Sequence, residues 1–190
     1  MKEATNGAAI WWCTRSCRAS FDRVCLAPSV RTVLGSWQGM ATDATGRLST
    51  ALLGAMPDDC LIEITLTPSA GVSAAGLLLR AGPDGNVGFQ LRLEPGRQRL
   101  VLDHWPRPGD WPALHCERSL AIVPGHQVRL QVLISGSCLV AYACADGGGE
   151  VALSSRIHQH RAGELGLFAS DGSASFTDLV IRTRSMEAQP

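Results

Sequence analysis

Phe89-Gln90-Leu91-Arg92-Leu93, then Glu94-Pro95-Gly96-Arg97, then Gln98-Arg99-Leu100-Val101-Leu102 is the stretch on which the fold turns. Two runs rich in apolar residues flank a Pro-Gly pair, and a Pro-Gly turn between strand-like runs is the signature of a β-hairpin. A second hairpin is expected just upstream. There Ala75 to Arg80 and Val87 to Leu93 flank Pro83-Asp84-Gly85-Asn86, residues that suit tight turns and tolerate positive φ. Further upstream, in Cys60 to Thr67, Leu61, Glu63, Thr65 and Thr67 oppose Ile62, Ile64 and Leu66, placing one face inward and one in water.

The same texture extends in both directions. Ser36 to Ala41, Arg47 to Leu53, Leu120 to Val123, Gln127 to Ile134, Leu139 to Ala143, Glu150 to Ile157, Glu164 to Ala169 and Ser175 to Arg182 all read as strands. Gly, Pro, Asp and Ser punctuate them at Pro124-Gly125, Ser135-Gly136, Asp146 to Gly149 and Asp171-Gly172. About eleven or twelve strands at this spacing predict an all-β antiparallel sandwich of jelly-roll type. Breakers interrupt any longer helical pattern, so the one helical expectation is a short turn near Ser49 to Ala55. The expected organisation is a poorly ordered lead-in over 1–33, a sandwich over 34–184 and a tail over 185–190.

With 190 residues the chain holds one domain of ordinary size. Basic and acidic residues number 17 each, so no net field draws the protein to a polyanion or an acidic membrane face. Neither nucleic acid nor membrane is an expected partner. No apolar run has the length of a membrane span, and Lys2-Glu3 ahead of a short apolar stretch makes a poor export signal. The expectation is a soluble, cytoplasmic chain whose seven cysteines stay reduced. Cys13, Cys17 and Cys25 form the one cysteine cluster but lack the second pair that zinc sites bring, so no metal and no cofactor is expected.

Catalytic patterns are missing. Glycosidic hydrolysis needs two carboxyl groups facing one bond, whereas Glu63 stands alone on its strand and Asp58-Asp59 fall in a turn. Among His104, His115, His126, His158 and His160, only His158-Gln159-His160 has a two-residue spacing, with no acid or cysteine beside it. Gly147-Gly148-Gly149 reads as a hairpin tip, since no helix start follows to present free N–H groups. No catalytic residue is therefore assigned.

The segment Asp103 to Pro112 carries the chemistry of interest. Trp105 and Trp111 can stack on sugar rings, and Arg107 and Asp110 can hydrogen-bond hydroxyls. These four are candidates for carbohydrate binding or for docking on a neighbouring domain. Pro106, Pro108 and Pro112 break the regular spacing of a sugar platform, which favours docking.

Three segments resemble the C-terminal β-sandwich of glycoside hydrolase family 32, the β-fructosidases. They are Val128-Arg129-Leu130-Gln131-Val132-Leu133-Ile134-Ser135-Gly136-Ser137, then Val151-Ala152-Leu153-Ser154-Ser155-Arg156-Ile157-His158, and Gly166-Leu167-Phe168 with Ser175-Phe176-Thr177-Asp178-Leu179-Val180. Leu91 to Arg107, with its Leu102-Asp103-His104-Trp105-Pro106-Arg107, looks like the corresponding part of bacterial members, and the resemblance covers about residues 34–184. Ser135 stands where the family usually has aspartate. The resemblance implies a concanavalin A-like sandwich. The family's catalytic residues lie in a separate N-terminal propeller, in W-M-N-D-P-N-G, R-D-P and E-C patterns that this chain lacks. The expected function is that of a non-catalytic accessory module of such a hydrolase, stabilising it or positioning substrate, with a propeller-type catalytic domain or carbohydrate as partner. The alternative is a free-standing carbohydrate-binding, lectin-like protein.

Overall fold

A computed structural model describes residues 21–24, 31–34, 36–38, 40–43, 48–85, 87–105, 113–157 and 162–184. The strands in chain order are β1 (Phe21–Val24), β2 (Arg31–Leu34), β3 (Ser36–Gln38), β4 (Ala41–Asp43), β5 (Leu48–Ala55), β6 (Cys60–Pro68), β7 (Ala74–Ala81) and β8 (Gly88–Glu94). They continue with β9 (Arg99–Trp105), β10 (Ala113–Ser119), β11 (Val128–Ser135), β12 (Cys138–Ala145), β13 (Gly149–Arg156), β14 (Glu164–Ser170) and β15 (Ala174–Arg184). Among the described residues there is no α-helix, and hence no helix long and apolar enough to cross a membrane.

The strands form two antiparallel sheets. One runs β13-β12-β11-β6-β15-β4-β3, with β1 added along β15; the other runs β10-β9-β8-β7-β14-β5-β2. Alternation decides which side chains meet between them. Ile62, Ile64 and Leu66 of β6 and Val128, Leu130, Val132 and Ile134 of β11 face Leu77, Leu79, Leu91, Leu93, Leu100 and Leu102 in one continuous core. Removing one such leucine to alanine costs about 2–5 kcal/mol.

Both expected hairpins form. β8 and β9 pair in register from Gly88↔Trp105 to Glu94↔Arg99 around a 3₁₀ turn at Pro95–Arg97. β7 and β8 pair likewise, and in their turn Gly82 N–H donates to the Val87 carbonyl at 3.1 Å. The helical turn expected near Ser49 to Ala55 is instead strand β5, because both its faces are covered. Leu53 enters the core, while Leu52 joins Leu78 and Phe168 in a second apolar cluster on the outer side of its sheet. β1 pairs with β15, and β2, which ends at Leu34, pairs with β5.

At the hairpin tip between β12 and β13, Gly148 meets the connection after β10. A Cβ there would stand 1.9 Å from the Ala121 carbonyl oxygen, so a bare backbone is needed for the contact.

Candidate functional site

Strands β7, β8, β9 and β14 lie side by side, and their outward-facing residues build one cleft. On β8, Phe89, Leu91 and Leu93 fill the core, which turns Gln90, Arg92 and Glu94 out. On β9, Leu100 and Leu102 point in, which turns Arg99, Val101, Asp103 and Trp105 out. Gly76 of β7 opposes Arg92; a Cβ there would fall 2.0 Å from the Leu91 carbonyl oxygen. The result is a cleft of about 600 Å³. Leu48, Ala74, Phe168 and Trp105 give it an apolar floor, and Ser73, Gln90, Arg92, Glu94, Arg97 and Ser170 a polar wall.

Charge within the wall is arranged around Arg92. Its Nη2 lies 2.6 Å from Asp103 Oδ2 and its Nε 3.1 Å from Glu94 Oε1. Both approaches are close, yet neither lies on a hydrogen-bonding line, and Arg92 Nε and Asp103 Oδ2 are enclosed without a hydrogen-bond partner. The indole N–H of Trp105 is in the same condition. Glu94 is held further by Arg99 Nε at 2.6 Å, and Arg99 also pairs with Glu117. Arg97 reaches Glu94 at 3.7 Å with its side chain 71% exposed, leaving a loosely held cation at the cleft mouth. Burial holds the Asp103 carboxyl above the usual carboxylate range, and the nearby Arg92 only partly offsets this.

The β8–β9 turn that bears Gly96 and Arg97 is locked by Gln98, which adopts a left-handed conformation with φ of 51°. Its side-chain amide donates to the Pro95 carbonyl and, at 2.8 Å, to the Ile122 carbonyl. Its Oε1 accepts from Ile122 N–H at 2.8 Å. One side chain thereby supplies to the 120–122 connection the partners that a neighbouring strand would otherwise give.

Of the four candidates named from sequence, Trp105 lies in this cleft; Arg107, Asp110 and Trp111 lie outside the described residues, as do His158 and His160. Gln90, Arg92 and Glu94 were not singled out, although strand alternation already sets them on the polar face. Asp58 and Asp59 are more than solvated turn residues: Arg80 Nη2 donates to the Asp58 carbonyl at 3.3 Å, and Asp59 Oδ1 accepts from Gly136 N–H at 2.6 Å. Glu63, the one carboxylate of β6, is paired: Arg182 Nη2 stands 2.8 Å from it and Gln131 donates to it at 3.1 Å. His104 stacks on Phe89 with centroids 4.6 Å apart, and His115 meets both rings edge-on. Among the described residues, no three His, Cys, Asp or Glu side chains gather as metal ligands would.

No family model matches the chain. A levanase of Bacillus sp. strain L7 is 28% identical over 135 residues, which is 71% of this chain and 14% of the levanase. The structure titled carbohydrate binding module CBM66 from Bacillus subtilis superposes with a TM-score of 0.71 at 18% identity, over 82% of this chain and 96% of that one. An exo-inulinase from Aspergillus awamori superposes with a TM-score of 0.53 at 15% identity, over 84% of this chain and 29% of the inulinase. The chain thus spans a small part of either enzyme's length. It is an antiparallel β-sandwich similar in sequence to a portion of a levanase and in fold to that binding module and to part of the inulinase, in keeping with the resemblance to the sandwich of the family 32 β-fructosidases.

Proposed function

We propose that this chain is a non-catalytic accessory module of a fructan-cleaving enzyme and holds carbohydrate in the cleft between Trp105 and Arg92. The observation that carries the reading is the cleft's composition. An apolar floor adjoins a row of polar side chains held in place by ion pairs. Sugars offer apolar C–H faces and rings of hydroxyls, and such a surface complements both. Ion pairs hold Arg92 in place before ligand arrives, which reduces the ordering cost of binding.

The same ion pairs argue against hydrolysis. Glu94 is 8% exposed and shared among Arg92, Arg97 and Arg99, and Asp103 is 2% exposed beside Arg92. Carboxyls committed in this way anchor arginines; they do not face a scissile bond. The likeness to the levanase and to the carbohydrate-binding module supports the ligand class. Docking on a catalytic domain, preferred from the loop prolines, is the competing role for Trp105.

Calorimetric titration with short levan oligosaccharides tests the reading. Saturable binding is expected, weakened about tenfold (1.4 kcal/mol) by Gln90→Ala and by Trp105→Ala, with no release of reducing sugar from levan or inulin. Absence of binding by the folded native chain would return Trp105 to docking, and turnover that co-purifies with the chain would overturn the non-catalytic reading.

A further inference from the structure

The outer face of the other sheet bears a second array, with three cross-strand rows side by side. The first is apolar: Leu61 of β6 opposes Leu133 of β11, which opposes Val140 of β12. The second runs from Val180 of β15 through Glu63 and Gln131 to Tyr142. The third runs Thr65, Arg129, Cys144, Glu150. These side chains point away from the core, because their strand neighbours Ile62, Ile64, Leu130, Val132, Ala141 and Ala143 fill it; of the three rows, Leu61 and Thr65 are covered and the rest reach the surface.

An outward sheet face is ordinarily a solvated field of independent polar chains. This one differs in three respects. Its polar groups are fixed to one another: Glu63 is held by Arg182 at 2.8 Å and by Gln131 at 3.1 Å. Beside them Leu133, Val140 and the chain's single tyrosine are half-buried. The face is also indented: Asp178 adopts φ of 56°, β15 shifts register between Thr177 and Val180, and a cleft of about 340 Å³ opens between Glu63, Thr65, Arg129, Gln131 and Asp178.

We propose that this face is a second carbohydrate contact, taking an internal stretch of a neutral polysaccharide chain across β15, β6, β11 and β12. With strands about 4.8 Å apart, the row from Val180 to Tyr142 extends roughly 14 Å, enough for two or three sugar rings in line. Leu133, Val140 and Tyr142 meet C–H faces, while Glu63 accepts and Gln131 and Arg129 donate to hydroxyls. The contact crosses four strands, which suits the middle of a chain. Two faces on one rigid body engage a polymer at two points, raising the effective concentration for the second engagement. The inference rests on the proposed function for its ligand class alone.

The test compares affinity electrophoresis in gels containing soluble levan with calorimetry on short levan oligosaccharides. It uses the native chain, Tyr142→Thr, Gln131→Ala and Trp105→Ala, each confirmed folded by circular dichroism. Tyr142→Thr and Gln131→Ala are expected to lower apparent affinity for the polymer three- to tenfold while short-oligosaccharide binding stays at the native value. Two separate half-buried positions are used so that instability of one variant does not decide the outcome. Polymer retardation equal to native in both variants, or complete loss of retardation in Trp105→Ala alone, would overturn the second contact and leave the first. A native chain that the polymer does not retard would remove both.

Discussion

Asp103 and Arg80 show what a buried charge does in this sandwich. Burial raises the Asp103 pKa despite Arg92, so the folded chain holds that proton more tightly than the unfolded chain does. Stability is therefore highest with the group protonated and falls as pH rises from the unfolded value of about 4 through the folded pKa. Asp103→Asn removes the titration. The variant is expected to exceed the native chain in urea stability at pH 7 and to lose that advantage as pH falls toward 4. An advantage that grows on acidification would show that Arg92 dominates. Arg80 is 2% exposed, and its Nη2 donates to the Gly136 carbonyl at 2.9 Å as well as to Asp58, tying β7 to the β11–β12 turn and to the β5–β6 connection between the sheets. Hydrogen bonds from a charged donor contribute about 1.5–3 kcal/mol each. Arg80→Met is thus expected to lower unfolding free energy by about 3–6 kcal/mol, and an unchanged urea midpoint would show that packing of the aliphatic stem suffices.

At the level of elements, the hairpins were legible because each is specified within a few residues. Pro95-Gly96 between apolar-rich runs fixes β8 and β9, and Pro83 to Gly85 fixes β7 against β8. β10 was not legible: Ala113–Ser119 is an edge strand exposed on nearly every side chain, so it carries no period. The Leu120 to Val123 run, apolar enough to suggest a strand, is a connection whose Leu120 and Ile122 are buried beneath the Gln98 clamp. Ser36 to Ala41 divides into β3 and β4, which pair as a short hairpin. The cleft was half-legible. Trp105 announces itself by type, but Gln90, Arg92 and Glu94 become a wall only when β14 docks beside β7, a pairing no local pattern encodes. The clamp yields its own prediction. Gln98→Gly retains the left-handed backbone at lower strain, of order 1 kcal/mol, and deletes the side-chain bonds to the connection. Global stability is expected to change little, while the Ile122 amide exchanges far faster than the amides of β8 and β9. Unaltered protection at Ile122 would mean that packing of its side chain, not the Gln98 amide, holds the connection.

For the molecule as a whole, the question is whether the two sheets separate together or strand by strand. Cys60 reports on it from within. It opens β6, which pairs with β11 and β15, so its surroundings come from segments far apart in sequence. The residue is 0% exposed, and burial pushes its thiol up to about 12, only partly relieved by Arg80. Since the thiolate is the reactive form, Cys60 is doubly shielded at pH 8, by access and by protonation. Cys138, at the exposed start of β12, offers an internal comparison. Peptide mapping after thiol labelling is expected to find Cys138 modified rapidly in the native state and Cys60 modified only through global opening. Its labelling rate should then rise with urea at the slope of the full unfolding transition. A Cys60 rate insensitive to urea would mean that the rim of the sandwich near Asp58 and Gly136 opens by itself. Arg80, which closes that rim, would then be a local latch, and Arg80→Met would accelerate Cys60 labelling without moving the urea midpoint. A single core shared by both sheets leads to the opposite expectation: Arg80→Met accelerates labelling by the factor that its loss of global stability dictates, about tenfold for each 1.4 kcal/mol.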